Sequence, residues 1–344
     1  MSASTAALST PTHVSGWRQE DFDHYRREGF PVYSLTRDEK RQELLDLLVA
    51  DHATLINEGG DIKQTMAGLA LAWHYHPYSW GVRCGNRMTP VELFRDDELF
   101  LKAIEKRMKM GHPPTASGMR KVLRSFSGTQ SVSNFRPTAA ATVYHRLVPE
   151  RGGAVWDMSA GFGGRLLGAL ACDHVDCYVG TDPSTYAIDG LREMAAELVP
   201  MAEHLGRRTL KVELHQVGSE DFVPERNSLT CAFSSPSYFG WEQYSDEPTQ
   251  SHKRFPTQHE WLHGFIGSTL RNCAHGLKKN GILAINIASV AAYPNLAKAF
   301  VEYAQANGWR LIETLHLQLS KMVGLKHIGK SAFKSEPIFV FRKR

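Results

Sequence analysis

After Pro137 the chain alternates short apolar runs with amphipathic stretches of helix length, and that alternation restricts it to βαβ units built around a mostly parallel sheet. Ala154–Met158, Cys177–Thr181, Leu210–Gln216, Ser228–Phe233 and Gly281–Ala288 read as strands. Helices are predicted to open at Arg165–Cys172 and to cover residues 184–198, 259–278 and 294–306. Trp309–Leu319 and Pro337–Arg342 read as two closing strands, near enough in sequence to form an antiparallel hairpin at the sheet edge. The expected fold class is α/β: a Rossmann-like, seven-stranded sheet with an antiparallel final hairpin, preceded by a mainly helical N-terminal region.

That N-terminal region has a different texture. From Trp17 to Phe126 amphipathic helical patterns recur at 38–57, 90–109 and 116–126, with an aromatic and histidine-rich segment at 73–81 between them. The length of 344 residues accommodates two domains. The expected division is a disordered, small-polar lead-in at 1–15, a helical domain at 16–130 that acts as a lid or recognises substrate, and a catalytic domain at 131–344.

Chemistry concentrates at the ends of the predicted strands. Asp157-Met158-Ser159-Ala160-Gly161-Phe162-Gly163-Gly164-Arg165 stands directly after the first strand and opens a helix, so its glycines let the backbone approach a ligand at the mouth of the sheet. Asp182 ends the second strand, where a carboxylate can accept hydrogen bonds from both ribose hydroxyls. Glu220-Asp221 follows the third strand, and Asp221 is the candidate for holding an adenine amine. Such an array suits a nucleotide-like cofactor, and NAD is the main rival to S-adenosylmethionine (SAM). Against NAD, the glycine turn falls in mid-chain and no hydride-transfer constellation follows it.

The loop after the fourth strand is Ser234-Ser235-Pro236-Ser237-Tyr238-Phe239-Gly240-Trp241. It resembles the [D/N/S]-P-P-[Y/F] motif of SAM-dependent amino-methyltransferases, which methylate exocyclic amines of adenine or cytosine and some protein amides. The resemblance is closest to the DNA-methylase-like (N4-cytosine/N6-adenine) proteins of phages and bacteria. It extends from Asn134-Phe135-Arg136-Pro137 through Trp241–Tyr244, Phe255-Pro256-Thr257 and Leu277–Ile287 to the closing Glu336–Phe341. The antiparallel ending also matches the sheet of that class better than a dehydrogenase sheet.

The resemblance implies SAM as cofactor. Phe135 and Pro137 would cover its methionine end, with Asp157, Ser159, Gly161, Gly163, Arg165, Asp182, Asp221 and Ser234 as the other cofactor-binding positions. Ser235 would accept the target amine's hydrogen bond, the carbonyl of Pro236 would fix the amine's orientation, and Tyr238 would stack on the planar acceptor. Ser237 stands where the family has its second proline. Ser237, Trp241, Tyr244 and Phe255 are the candidate substrate-binding residues, the three aromatics as walls of the acceptor pocket.

The favoured acceptor is therefore an amino group of a DNA base, with DNA as the expected partner. A small-molecule alkyltransferase and a non-catalytic, nucleic-acid-binding SAM-fold module are the alternatives. Two basic clusters could reach phosphates: Lys106, Arg107, Lys109, Arg120, Lys121 and Arg124, and Lys321, Lys326, His327, Lys330 and Lys334. The net charge of +4, from 40 basic and 36 acidic residues, decides nothing about partners. Five cysteines without paired CxxC spacing indicate reduced thiols in a cytoplasmic protein, and His74 and His76 lack companions for a metal site. No leader pattern or membrane-length apolar run is read in the sequence.

Overall fold

The structure is a computed structural model describing residues 14–321 and 333–344, with side chains described over 19–319 and 335–344. The lead-in through residue 13 and the basic positions Lys326, His327 and Lys330 lie outside the described residues, as do the side chains of Lys321 and Lys334.

Among the described residues two compact units emerge, residues 14–32 with 86–131 and residues 33–85 with 132–321 and 333–344. The division departs from a boundary at 130/131, because residues 33–85 belong to the unit that contains the sheet. The smaller unit packs the helices Val14–Glu28, Pro90–Arg95, Asp97–Lys109 and Ala116–Ser125 around Tyr25, Leu93, Phe100, Ile104, Met119 and Leu123. Asp96 explains why the pattern at 90–109 is two helices: its side chain accepts from the Leu99 N–H at 2.9 Å and caps a new start.

Ten strands are present among the described residues: β1 (Asp61–Ile62), β2 (Arg83–Cys84), β3 (Gly153–Asp157), β4 (Val175–Thr181), β5 (Lys211–His215), β6 (Leu229–Ser234), β7 (Glu242–Gln243), β8 (Leu277–Asn286), β9 (Trp309–Lys321) and β10 (Phe333–Lys343). Eight of them form one sheet in the order β1-β9-β10-β8-β6-β3-β4-β5, and β2 pairs with β7 separately. The sheet is parallel except for β10, which runs antiparallel to both β8 and β9.

The expected seven strands are all there, joined by one more. β1 pairs parallel to β9, with Asp61 opposite His316, so the final hairpin is one strand in from the edge. The sheet is buried on both faces, and the pleat sorts neighbours onto opposite sides. Val155, Tyr178 and Cys231 join one core cluster with the helix Pro137–Leu147, while Trp156, Val179 and Ala232 join the other with Trp261, Phe265 and Phe300.

Candidate functional site

Strand order turns at β3: β4 and β5 lie to one side, β6 and β8 to the other. In an open parallel sheet this switch point leaves a crevice at the carboxyl ends of the strands. The glycine loop after β3 and the Ser-Pro-Ser-Tyr loop after β6 both emerge there.

Asp157, the last residue of β3, is fully buried. One carboxylate oxygen accepts from Arg165 Nε at 2.8 Å and from the Tyr178 hydroxyl at 2.7 Å. The other accepts from the Ser234 hydroxyl at 2.8 Å. Arg165, also buried, donates to the Ser159 carbonyl and lies over the Phe135 ring at 5.6 Å. Asp157, Arg165 and Ser234, expected to meet the cofactor, thus hold one another in a buried network that fixes the glycine loop from below.

The loop itself needs its glycines. Gly161 and Gly163 have φ of +56° and +76°, the left-handed region that side chains rarely adopt. A Cβ on Gly164 would collide with the Phe135 carbonyl oxygen, since the Asn134–Pro137 segment lies directly on this turn. Asn134 Nδ2 donates to the Phe162 carbonyl at 3.1 Å and secures the same contact. Gly164→Ala is accordingly expected to cost about 3 kcal/mol by overpacking against backbone that cannot yield. Denaturant unfolding measures this, and a loss under about 0.5 kcal/mol would refute the close approach.

A Cβ on Gly161 would meet nothing nearer than the Ser159 carbonyl at 3.7 Å, so that side of the turn is open to a ligand. Beside it, Asp182 accepts from the Gly161 N–H at 3.0 Å and the Ser184 N–H at 2.9 Å. Burial nonetheless pushes its carboxyl up to about 6, against the two N–H donors that pull it down. Asp221 is arranged differently: its carboxylate accepts from Arg254 at 2.6 Å, and Arg254 also binds Glu220. Arg254 carried no signal in the sequence, where it sits in a polar stretch between glutamine and phenylalanine-proline.

Pro236 lines a small apolar cavity with Met158, Ser159, Ser219, Phe265 and Thr269, between the two loops. Ser237 uses the hydroxyl that replaces a proline ring to hydrogen bond Ser251 at 2.7 Å, which ties the loop to the helix Ser251–Arg254. Burial pushes the Tyr238 hydroxyl well up, with the Ser235 side chain and the Ala288 backbone pulling the other way.

The aromatic walls divide. Tyr244 lies 5.8 Å from the Phe162 ring of the glycine loop, in a cluster with Trp73 and Tyr78. Trp241 covers Gly85, whose N–H donates to the Trp241 carbonyl at 2.7 Å. Phe255 instead stacks on Phe265 at 5.9 Å and belongs to the core packing. His74 and His76 do not share an extended segment, because Leu69–Tyr75 is helical and Pro77–Gly81 is a 3-10 turn. His74 Nδ1 accepts from the Leu35 N–H at 3.2 Å, and His76 is fully buried against the Ala72 carbonyl at 2.9 Å.

In the smaller unit, Arg107 donates to the Pro113 carbonyl at 3.2 Å and Arg120 to the carbonyls of Pro31 and Val32 at 3.1 and 3.2 Å. Lys106, Lys109 and Lys121 are exposed. All five cysteines are free thiols. Among the described residues there is no cluster of three or more metal-ligating side chains, and no helix is long and apolar enough to cross a membrane.

The chain has an open, doubly wound α/β sheet in which β10, third from one edge, is antiparallel to its neighbours, and its candidate site lies at the switch point of that sheet. It is similar to the structure of a TehB-like SAM-dependent methyltransferase from Corynebacterium glutamicum, at 15% identity and a TM-score of 0.38, over 70% of this chain and 99% of that one. It is also similar to a SAM-dependent O-methyltransferase from Thermotoga maritima, at 9% identity and a TM-score of 0.40, over 62% and 68% of the two chains. A third similar structure is magnesium protoporphyrin IX methyltransferase from Synechocystis with bound SAM, at 13% identity and a TM-score of 0.40, over 60% and 79%. No family model matches the chain, and no curated protein matches it.

Proposed function

We propose that this chain is a SAM-dependent methyltransferase acting on an amine, with an exocyclic amino group of a DNA base as the favoured acceptor. The observation that carries the cofactor reading is the pairing of an open-sided glycine turn at Gly161 with the half-buried carboxylate of Asp182, at the switch point of the sheet. Bound there, SAM supplies a methyl group on a positively charged sulfur, which is reactive without a strong base. Asp182 would take the ribose hydroxyls, and the Phe135–Pro137 segment would cover the methionine end. Ser235, the Pro236 carbonyl and Tyr238 would hold the acceptor amine in line.

Asp182 gives the first test. Asp182→Ala should weaken SAM binding by roughly 1–3 kcal/mol, through the loss of charge-assisted hydrogen bonds. Because the ionised carboxylate is the form that accepts from ribose, wild-type affinity for SAM should fall as pH drops through about 6. Stability should run the other way. The folded state binds this proton more tightly than the unfolded state, whose value is 3.8, so stability falls as pH rises from about 4 to about 6. Asp182→Asn should therefore be the more stable protein at neutral pH. Calorimetry and denaturant unfolding check both, and unchanged SAM affinity in Asp182→Ala would remove this residue from the site.

A small-molecule acceptor is the second reading. Glu242 and Glu336 both lie near Tyr238, and negative charge beside the acceptor loop opposes a phosphate backbone. Methyl transfer to mixed-sequence duplex and single-stranded DNA, followed by mass spectrometry of the nucleosides, separates the two: methylated base supports the DNA acceptor, unmodified DNA excludes it.

A further inference from the structure

Between Tyr244 and Phe255 the chain reads Ser245-Asp246-Glu247-Pro248-Thr249-Gln250-Ser251-His252-Lys253-Arg254, with no apolar side chain apart from Pro248. Both flanks are anchored in aromatic packing, Tyr244 against Phe162 at 5.8 Å and Phe255 against Phe265 at 5.9 Å between rings. What lies between them brings no aliphatic or aromatic side chain to a core. Hydrogen bonds and ion pairs hold it, which is the make-up of a segment that opens locally at small cost.

Its path crosses the crevice. The segment follows β6, on one side of β3, and grips the turn after β4, on the other. There the Glu247 carboxylate accepts from the Thr185 N–H at 3.1 Å and from the Thr185 hydroxyl, and the Thr249 hydroxyl donates to the Pro183 carbonyl at 3.2 Å. Thr185 opens the 20-residue helix Thr185–His204, so the Glu247 charge also meets the positive end of that helix. The chain then returns to the acceptor loop, where Ser251 bonds Ser237 at 2.7 Å, and ends on the turn after β5, where Arg254 donates to Asp221 at 2.6 Å and to Glu220. Together with Tyr244 it thus contacts Phe162 beside Gly161, Pro183 beside Asp182, and Asp221 itself.

The two grips are unequal. Glu247 is half-buried and also accepts from the Ser245 hydroxyl at 2.6 Å. The Arg254 side chain is 34% exposed and that of Asp221 52%, so water and salt weaken their attraction. Gln250, between the grips, is 4% exposed and its side-chain nitrogen has no hydrogen-bond partner, a cost that opening to water relieves.

We propose that residues 245–254 are a polar roof over the cofactor crevice, with Glu247 as its hinge and Arg254 as its latch, and that the cofactor enters and leaves when Arg254 releases Asp221 and Glu220. The inference rests on the SAM reading and deepens it, since it makes cofactor exchange depend on an ion pair that touches neither the methyl group nor the acceptor.

The test reads exchange rates of S-adenosylhomocysteine (SAH) on the full chain by surface plasmon resonance. SAH lacks the sulfonium charge, so salt acts on the latch and little on the encounter. Arg254→Gln should raise the association and dissociation rate constants together by about fivefold, the upper worth of an exposed ion pair, with their ratio kept within about twofold. In wild type both constants should rise as salt goes from about 0.05 M to about 0.5 M, and in Arg254→Gln they should stay flat. A merely structural loss would not speed association. An unchanged association rate in Arg254→Gln, or an affinity change carried by dissociation alone, overturns the latch, the second by making Arg254 a cofactor contact. Wild-type association that ignores salt overturns it without any variant. In each of these outcomes SAH still binds and the SAM reading stands; wild type that binds neither SAH nor SAM sinks that reading, and the roof with it.

Discussion

Asp157→Ala should destabilise the protein by about 3–5 kcal/mol, the cost of leaving a buried charge without its partner. The carboxylate is fully buried and accepts from Arg165, Tyr178 and Ser234 at 2.7 to 2.8 Å. Its removal strands the Arg165 guanidinium, also buried, and leaves two hydroxyls unpaired. Those groups come from the helix Gly164–Leu170, from β4 and from β6, so the network is where three elements of the sheet layer are held in register behind the site. The double variant Asp157→Ala/Arg165→Met should recover part of the loss, because the unpaired charge is gone and an apolar chain fills the space. Denaturant midpoints decide it: a single variant within about 1 kcal/mol of wild type would mean that the pair is not buried in solution.

This network also marks the limit of reading the site from sequence. A nine-residue run with three glycines between a strand and a helix was enough to locate the loop, because left-handed turns and close backbone approach demand glycine. The same run could not reveal that Asp157 faces inward. That depends on Tyr178 and Ser234, which lie on other strands; Tyr178 carries no mark in the sequence, and Ser234 is marked only as a position to meet the cofactor. Strand positions were legible for the long parallel runs, since a strand buried on both faces is apolar throughout. β1 was not, because two residues cannot display a period. The same holds for residues 33–85, whose helices have local patterns that specify an apolar face and leave open what covers it.

Ser237 is the instructive case among the candidate residues. Its sequence context showed a stiff proline lost and a hydroxyl gained, expected to meet substrate, whereas the structure gives that hydroxyl a bond to Ser251, a second way of anchoring the loop. Arg254 was invisible for a different reason. It matters through a partner far away in the chain, Asp221, and single-sequence spacing carries no such information.

Tyr238→Ala should abolish turnover while SAM binding stays within about twofold of wild type, since the ring is assigned to the acceptor and no cofactor contact depends on it. The ring packs beside the second core cluster, so the alanine variant also opens space there. Tyr238→Phe separates the two contributions. It keeps the stacking face and removes the hydroxyl, and if stacking is what orients the acceptor it should retain at least about a tenth of wild-type kcat. Loss of turnover in both variants would move the essential function to the hydroxyl. Retained turnover in Tyr238→Ala would remove stacking from the mechanism, and would leave Ser235 and the Pro236 carbonyl to orient the amine without an aromatic platform.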